Sequence, residues 1–201
     1  MENNENMHFG DYVAEGLRRS ADEIEEFQMQ ASLGKMEALD KYSELKKKYA
    51  HYTHELKLKA INGKEDLENL IGKIQDLQVQ FELGKADTLD AFEEQKKKIL
   101  LAIHEVQVTI KTNPTFIKAY ALLLETLEKI KLKLEILSEK LDPLKEQAKS
   151  VYEDKKKDVE EAIKSFKEKF NDKTDYEHKM DVFQDELALA YKHFKKAFVQ
   201  S

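Results

Sequence analysis

Six histidines are the first residues in this 201-residue chain to weigh for chemistry. His51 and His54 stand one helical turn apart, so both can face one metal ion. Their order is H-x-x-H-E, not the H-E-x-x-H of zinc proteases, and no third ligand is placed beside them. His54-Glu55 recurs as His104-Glu105, 50 positions on. Di-iron carboxylate bundles need Glu-x-x-His on each of two facing helices. Only Glu5 and His8 have that spacing, in the N-terminal tail; Asp175 with His178 comes nearest to a second. Lysine triplets at 46–48, 96–98 and 155–157 suggest phosphate at first sight, but consecutive helical residues point around the helix. They are expected to be solvated faces. Acidic residues are abundant, 40 in all, yet nothing in their spacing sets a pair in a cleft for acid–base work. The chain has no Gly-rich phosphate loop and no G-x-S-x-G, and the absence of Cys removes thiolate chemistry, disulfides and Cys-ligated metals. The expectation is a non-enzymatic protein with no catalytic residue, cofactor or metal.

Composition points to the elements that would carry these side chains. Charged residues make up 37% of the chain, against 6 Gly and 2 Pro. Such a Lys-, Glu-, Leu- and Ala-rich mix favours long helices. Opposite charges are interleaved, with a net charge of -6. That argues against a nucleic-acid binder, which shows a basic face. The start, MENNENMHFG, has neither the basic residues nor the apolar stretch of a signal peptide. The longest apolar run, 119–124, is far short of the roughly 20 residues that span a bilayer. A soluble, cytoplasmic protein is expected.

One segment is written twice. Residues 27–57 align without a gap on 77–107, with 13 of 31 positions identical, including Leu33/Leu83, Gly34/Gly84, Lys35/Lys85, Leu39/Leu89, Asp40/Asp90 and the lysine triplets. Turn signals at Asn62-Gly63, Asn113-Pro114 and 171–174 then bound helices of about 20–61, 64–111, 115–171 and 175–199. Capping boxes at Ser20/Glu23 and Thr174/Glu177 mark two starts. The third helix carries Phe116, Tyr120, Leu123, Leu127, Ile130, Leu134, Leu137, Leu141, Leu144, Ala148 and Val151 at coiled-coil spacing. Pro143 within it predicts a kink rather than an end.

The fold class expected is all-α: an elongated antiparallel bundle of three long helices plus a shorter C-terminal helix, coiled-coil-like, with an internal 50-residue duplication. Residues 1–19 form an N-terminal extension, partly disordered, and 20–201 one helical domain. Folding the first two helices about Gly63 sets Gly34 near Phe92 and Gly84 near Tyr42, each glycine making room for the other copy's ring. The last helix bears an aromatic stripe, Tyr176, Phe183, Tyr191, Phe194 and Phe198. That stripe either caps the bundle core or offers an interaction face to lipid or a partner helix.

The segment L-G-K-x-x-x-L-D-x-[YF]-x-E-x-K-K-K at 33–48 and 83–98 resembles a loosely defined family of bacterial Ala/Lys/Glu-rich coiled-coil proteins. The ending Ala190-Tyr191…Phe194…Ala197-Phe198 adds to it. Members are labelled hypothetical or stress-response proteins, and the resemblance implies a role under stress without catalytic residues. Together these readings predict a scaffold or adaptor binding a protein partner or a second copy. The alternative is reversible binding to a lipid surface through amphipathic helices.

Overall fold

The computed structural model describes residues 9–61, 68–83, 86, 88–111, 117–142, 152–171 and 180–199. They form seven helices, with no strand among the described residues: α1 (Phe9–Ala31), α2 (Lys35–Ile61), α3 (Glu68–Glu82), α4 (Leu89–Lys111), α5 (Ile117–Leu141), α6 (Tyr152–Asn171) and α7 (Met180–Phe198). The protein is all-α. None of the described helices is long and apolar enough to cross a membrane.

Helices α2, α4 and α6 are described as far as Ile61, Lys111 and Asn171. The signals at 62–63, 113–114 and 172–174, the cap at Thr174 and Pro143 itself lie outside the described residues. Three expected helices are each interrupted. The first divides at Ser32–Gly34, the second between Leu83 and Thr88, and the third is described as α5 to Leu141 and α6 from Tyr152.

The first Leu-Gly-Lys, expected in mid-helix, marks a break, and in the second copy α3 ends at Glu82, just before Leu83. In the first copy the Gly34 carbonyl accepts the opening bond of α2 from the Ala38 amide at 3.0 Å. Gly34 is therefore the N-cap, a role glycine fills well. In the second copy α4 starts at Thr88: its carbonyl accepts from the Phe92 amide at 3.0 Å, and its hydroxyl accepts from the Ala91 amide at 3.2 Å. The first copy has Ala38 where the second has Thr88. The better capping side chain moves the restart one turn downstream.

Two compact units make up the chain. Unit 1 comprises residues 1–29, 114–136 and 147–201, hence most of α1, the larger part of α5, and α6 and α7. Between Ala121 and Ile136 of α5 only Leu122 is exposed. Leu123, Leu127, Ile130 and Leu134 are buried as the coiled-coil stripe requires, but so are Leu124, Leu132 and Ile136. This stretch of α5 is enclosed on every side rather than along one seam. Helix α1 starts well before Ser20, and its early residues Phe9, Val13 and Leu17 are buried. Ser20, read as a cap, is fully buried in mid-helix. Rings of Phe9, Phe166, Phe170 and Phe183 meet at centroid distances of 4.7 to 6.3 Å.

Unit 2 holds residues 30–113 and 137–146. Lys46 reaches the Leu83 carbonyl, and Tyr49, one turn further along α2, meets Phe81 at 5.9 Å. These contacts run α2 and α3 antiparallel. The core stripe is Tyr42, Lys46, Tyr49 and Thr53 on α2, with Phe92, Lys96, Ile99 and Ile103 on α4, at spacings of 4, 3 and 4. Leu70, Ile74, Leu77 and Phe81 complete it from α3.

Candidate functional site

The Gly–aromatic packing expected across the repeat is not found at Gly34. A side chain at Gly34 would meet only Glu37 within 4 Å, not Phe92. The helix breaks at this glycine, so it has no neighbour to admit. Gly84 lies outside the described residues. Tyr42 and Phe92, equivalent positions of the repeat, pack against each other: centroids 4.9 Å apart, planes at 80°. That is the edge-to-face geometry aromatic pairs favour.

A polar network surrounds this pair. The Tyr42 hydroxyl donates to Gln95 Oε1 at 2.8 Å. Lys46 Nζ donates to the Leu83 carbonyl, lies 3.4 Å from Gln95 Oε1, and sits 5.6 Å from the centre of the Tyr42 ring. The last carbonyls of a helix lack intrahelical partners and carry its negative dipole end, so a lysine there is well placed. Lys96 is equally buried and reaches Glu93 at 3.6 Å, and Glu93 accepts a hydrogen bond from Ser138. Burial holds the Tyr42 phenol above the usual tyrosine range and pulls Lys46 below the usual lysine range. The other described lysines of the triplets, Lys47, Lys48, Lys97, Lys98, Lys156 and Lys157, are exposed as expected. Lys46 and Lys96 are the exceptions. Each falls on the apolar stripe of its helix, a signal present in the sequence but masked by residue type.

Unit 1 has a second network. Ser20 Oγ donates to Glu125 Oε1 at 2.7 Å, and Gln28 Nε2 donates to the Phe198 carbonyl at 2.6 Å. Lys129 pairs with Glu23 at 3.1 Å, and Lys133 lies 5.0 Å from the centre of the Phe27 ring. Phe183, Tyr191, Phe194 and Phe198, read from the sequence either as a cap on the core or as an interaction face, are all buried here. They serve the core. Tyr176 lies outside the described residues.

His51 and His54 are exposed, and His51 Nε2 faces Glu55 at 3.4 Å. Among the described residues, no three His, Cys, Asp or Glu side chains converge as a metal would need. The polar groups just described are engaged with protein partners, tying helix to helix.

Apolar side chains do reach solvent at the breaks of unit 2. Leu33 is 75% and Met36 73% exposed, and Leu83 is 53% exposed at the equivalent break. Val79 is exposed beside Leu83; on α4, Leu101 and Val108 are exposed seven residues apart. No family model, curated protein or solved structure matches this chain.

Proposed function

We propose that this protein is a non-enzymatic helical scaffold or adaptor that works through its surface, binding a protein partner or a second copy of itself. Its repeated segments are read as an internal duplication within an antiparallel, coiled-coil-like bundle, acting in the cytoplasm. The observation that carries the reading is the exposure of Leu33 and Leu83. Each is the same residue at the same place in its copy, and each is left in water where a helix breaks. Single exposed apolar residues are ordinary. Here Met36 accompanies Leu33 and Val79 accompanies Leu83, giving two small apolar patches open to a partner. The resemblance to stress-response coiled-coil proteins adds a role under stress.

Native purification followed by mass spectrometry tests this reading. The wild type is expected to retain a stoichiometric protein or to run as a dimer, and Leu33→Glu with Leu83→Glu is expected to release it while keeping the helical signal. Retention by the double variant would place the contact elsewhere. Co-purifying lipid, with flotation on vesicles abolished by the same substitutions, would favour the lipid-surface alternative.

A further inference from the structure

We propose that the seat of α1 on α5, within unit 1, is a proton-sensitive joint whose titrating group is Glu125. Its side chain is 6% exposed, on the enclosed stretch of α5. One oxygen accepts from Ser20 of α1 at 2.7 Å. The other lies 2.5 Å from where a Cβ at Gly16 would stand, so the carboxyl occupies space that a side chain at residue 16 would take. No cation lies within ion-pairing distance of Glu125 among the described residues. Lys129, on its own helix, turns to Glu23, and Arg18 pairs with Glu15 and Glu160.

A buried charge needs a counter-charge or several donors, and Glu125 has a single hydroxyl. The neutral acid fits better. It can donate to Ser20 Oγ and leave the serine hydroxyl to turn back to the carbonyl of Gly16, four residues earlier, as helical serines do. Burial accordingly raises the proton affinity of Glu125; the Ser20 bond, Lys129 and Arg19 oppose that, and Glu23 adds to it. The charged groups acting on it are thus Arg19 and Glu23 from α1 and Lys129 from α5. Glu160 and Lys167 of α6 face Arg18 and Asp11 of α1, and Lys195 of α7 faces Glu135 of α5.

A carboxyl whose folded pKa exceeds its unfolded one binds the proton more tightly in the folded state. The joint is then firmest in mild acid and loosens as pH rises through the folded value. Hydrogen exchange of the full chain across mildly acidic to mildly alkaline pH, corrected for intrinsic rates, tests this. Protection of residues 13–24 in the wild type is expected to fall as pH rises while that of α4 stays level. Glu125→Gln, which mimics the neutral acid, is expected to abolish the fall. A wild type with no pH dependence in α1, or a variant that keeps the slope, would overturn the proposal. Should the variant fail to fold, the side-chain carboxyl of Glu125 is followed by NMR in the wild type. Titration above the usual glutamate range supports the joint; titration within or below that range refutes it.

Discussion

The Tyr42–Phe92 contact gives the sharpest test of how the repeated segments meet. Both rings are almost fully buried and stand edge to face at 4.9 Å. Truncation of either to Ala would cost about 3–5 kcal/mol, a large share of the roughly 5–15 kcal/mol that holds a domain together. Leu is the better replacement, because it keeps most of the buried apolar volume and removes only the ring. A double-mutant cycle of Tyr42→Leu and Phe92→Leu should then show a coupling of about 1 kcal/mol, the size of an aromatic pair beyond its burial. Tyr42→Phe separates out the hydrogen bond to Gln95, expected at about 1 kcal/mol. Urea unfolding followed by far-UV circular dichroism provides the four free energies. Additivity within about 0.3–0.5 kcal/mol would mean that the rings do not pair. As a control, Gly34→Ala should show no coupling to Phe92→Leu, since a side chain at 34 would meet only Glu37.

Three further outcomes are expected. Thr88→Ala removes the side-chain cap of α4 and should cost about 1 kcal/mol by urea unfolding, with the start of the helix fraying in hydrogen exchange. Gly72→Ala adds a Cβ that meets nothing within 4 Å, whereas at Gly16 the Cβ would stand 2.5 Å from Glu125; the first should gain close to the ~1 kcal/mol that Ala holds over Gly in a helix, and the second should show no such gain. Spectrophotometric titration should find part of the tyrosinate signal arriving late, because burial raises the pKa of Tyr42. Its folded pKa lies above its unfolded one, so stability is kept below the ordinary tyrosine value and lost as pH climbs past it. Burial raises Tyr120 as well, so Tyr42→Phe should shrink that late component by one tyrosine, and an unchanged amplitude would show that the phenol is not held as described.

Helix class was legible in the sequence, because it depends on local chemistry. Few breakers and a Lys-, Glu-, Leu- and Ala-rich composition were enough to make the described chain helical throughout its elements. The apolar spacing of Leu123, Leu127, Ile130 and Leu134 likewise located buried residues. What escaped was decided by competition between neighbours. A lone Gly34 is tolerable inside a helix, and only the cost of continuing through it against the gain of capping there settles the break. Ser20 has the type and spacing of a cap, yet Glu125 from α5 supplies a partner that lets α1 run through it. Lys46 and Lys96 sit on apolar stripes, and their burial depends on a carbonyl or carboxylate brought in from elsewhere. Phe9 was assigned to an extension, although four rings from three helices enclose one another around it. The aromatic stripe of α7 carried two readings until Phe183, Tyr191, Phe194 and Phe198 were seen to be covered.

The unequal restarts of α2 and α4 carry a lesson for engineering. Two stretches that share sequence from Gln28/Gln78 to Glu55/Glu105 begin their second helices four positions apart, at Lys35 and at Leu89, whose counterpart in the first copy is Leu39. The halves are therefore no longer spare parts for each other. Transplanting 27–57 onto 77–107 would carry a glycine-capped start into a place shaped for a threonine-capped one, although the buried stripe that follows, Tyr42/Phe92 to Thr53/Ile103, falls at equivalent positions in both copies. Chains assembled by repeating either stretch in tandem would have to choose one of the two start sites throughout, with Ala or Thr at the position of Ala38 and Thr88 making that choice.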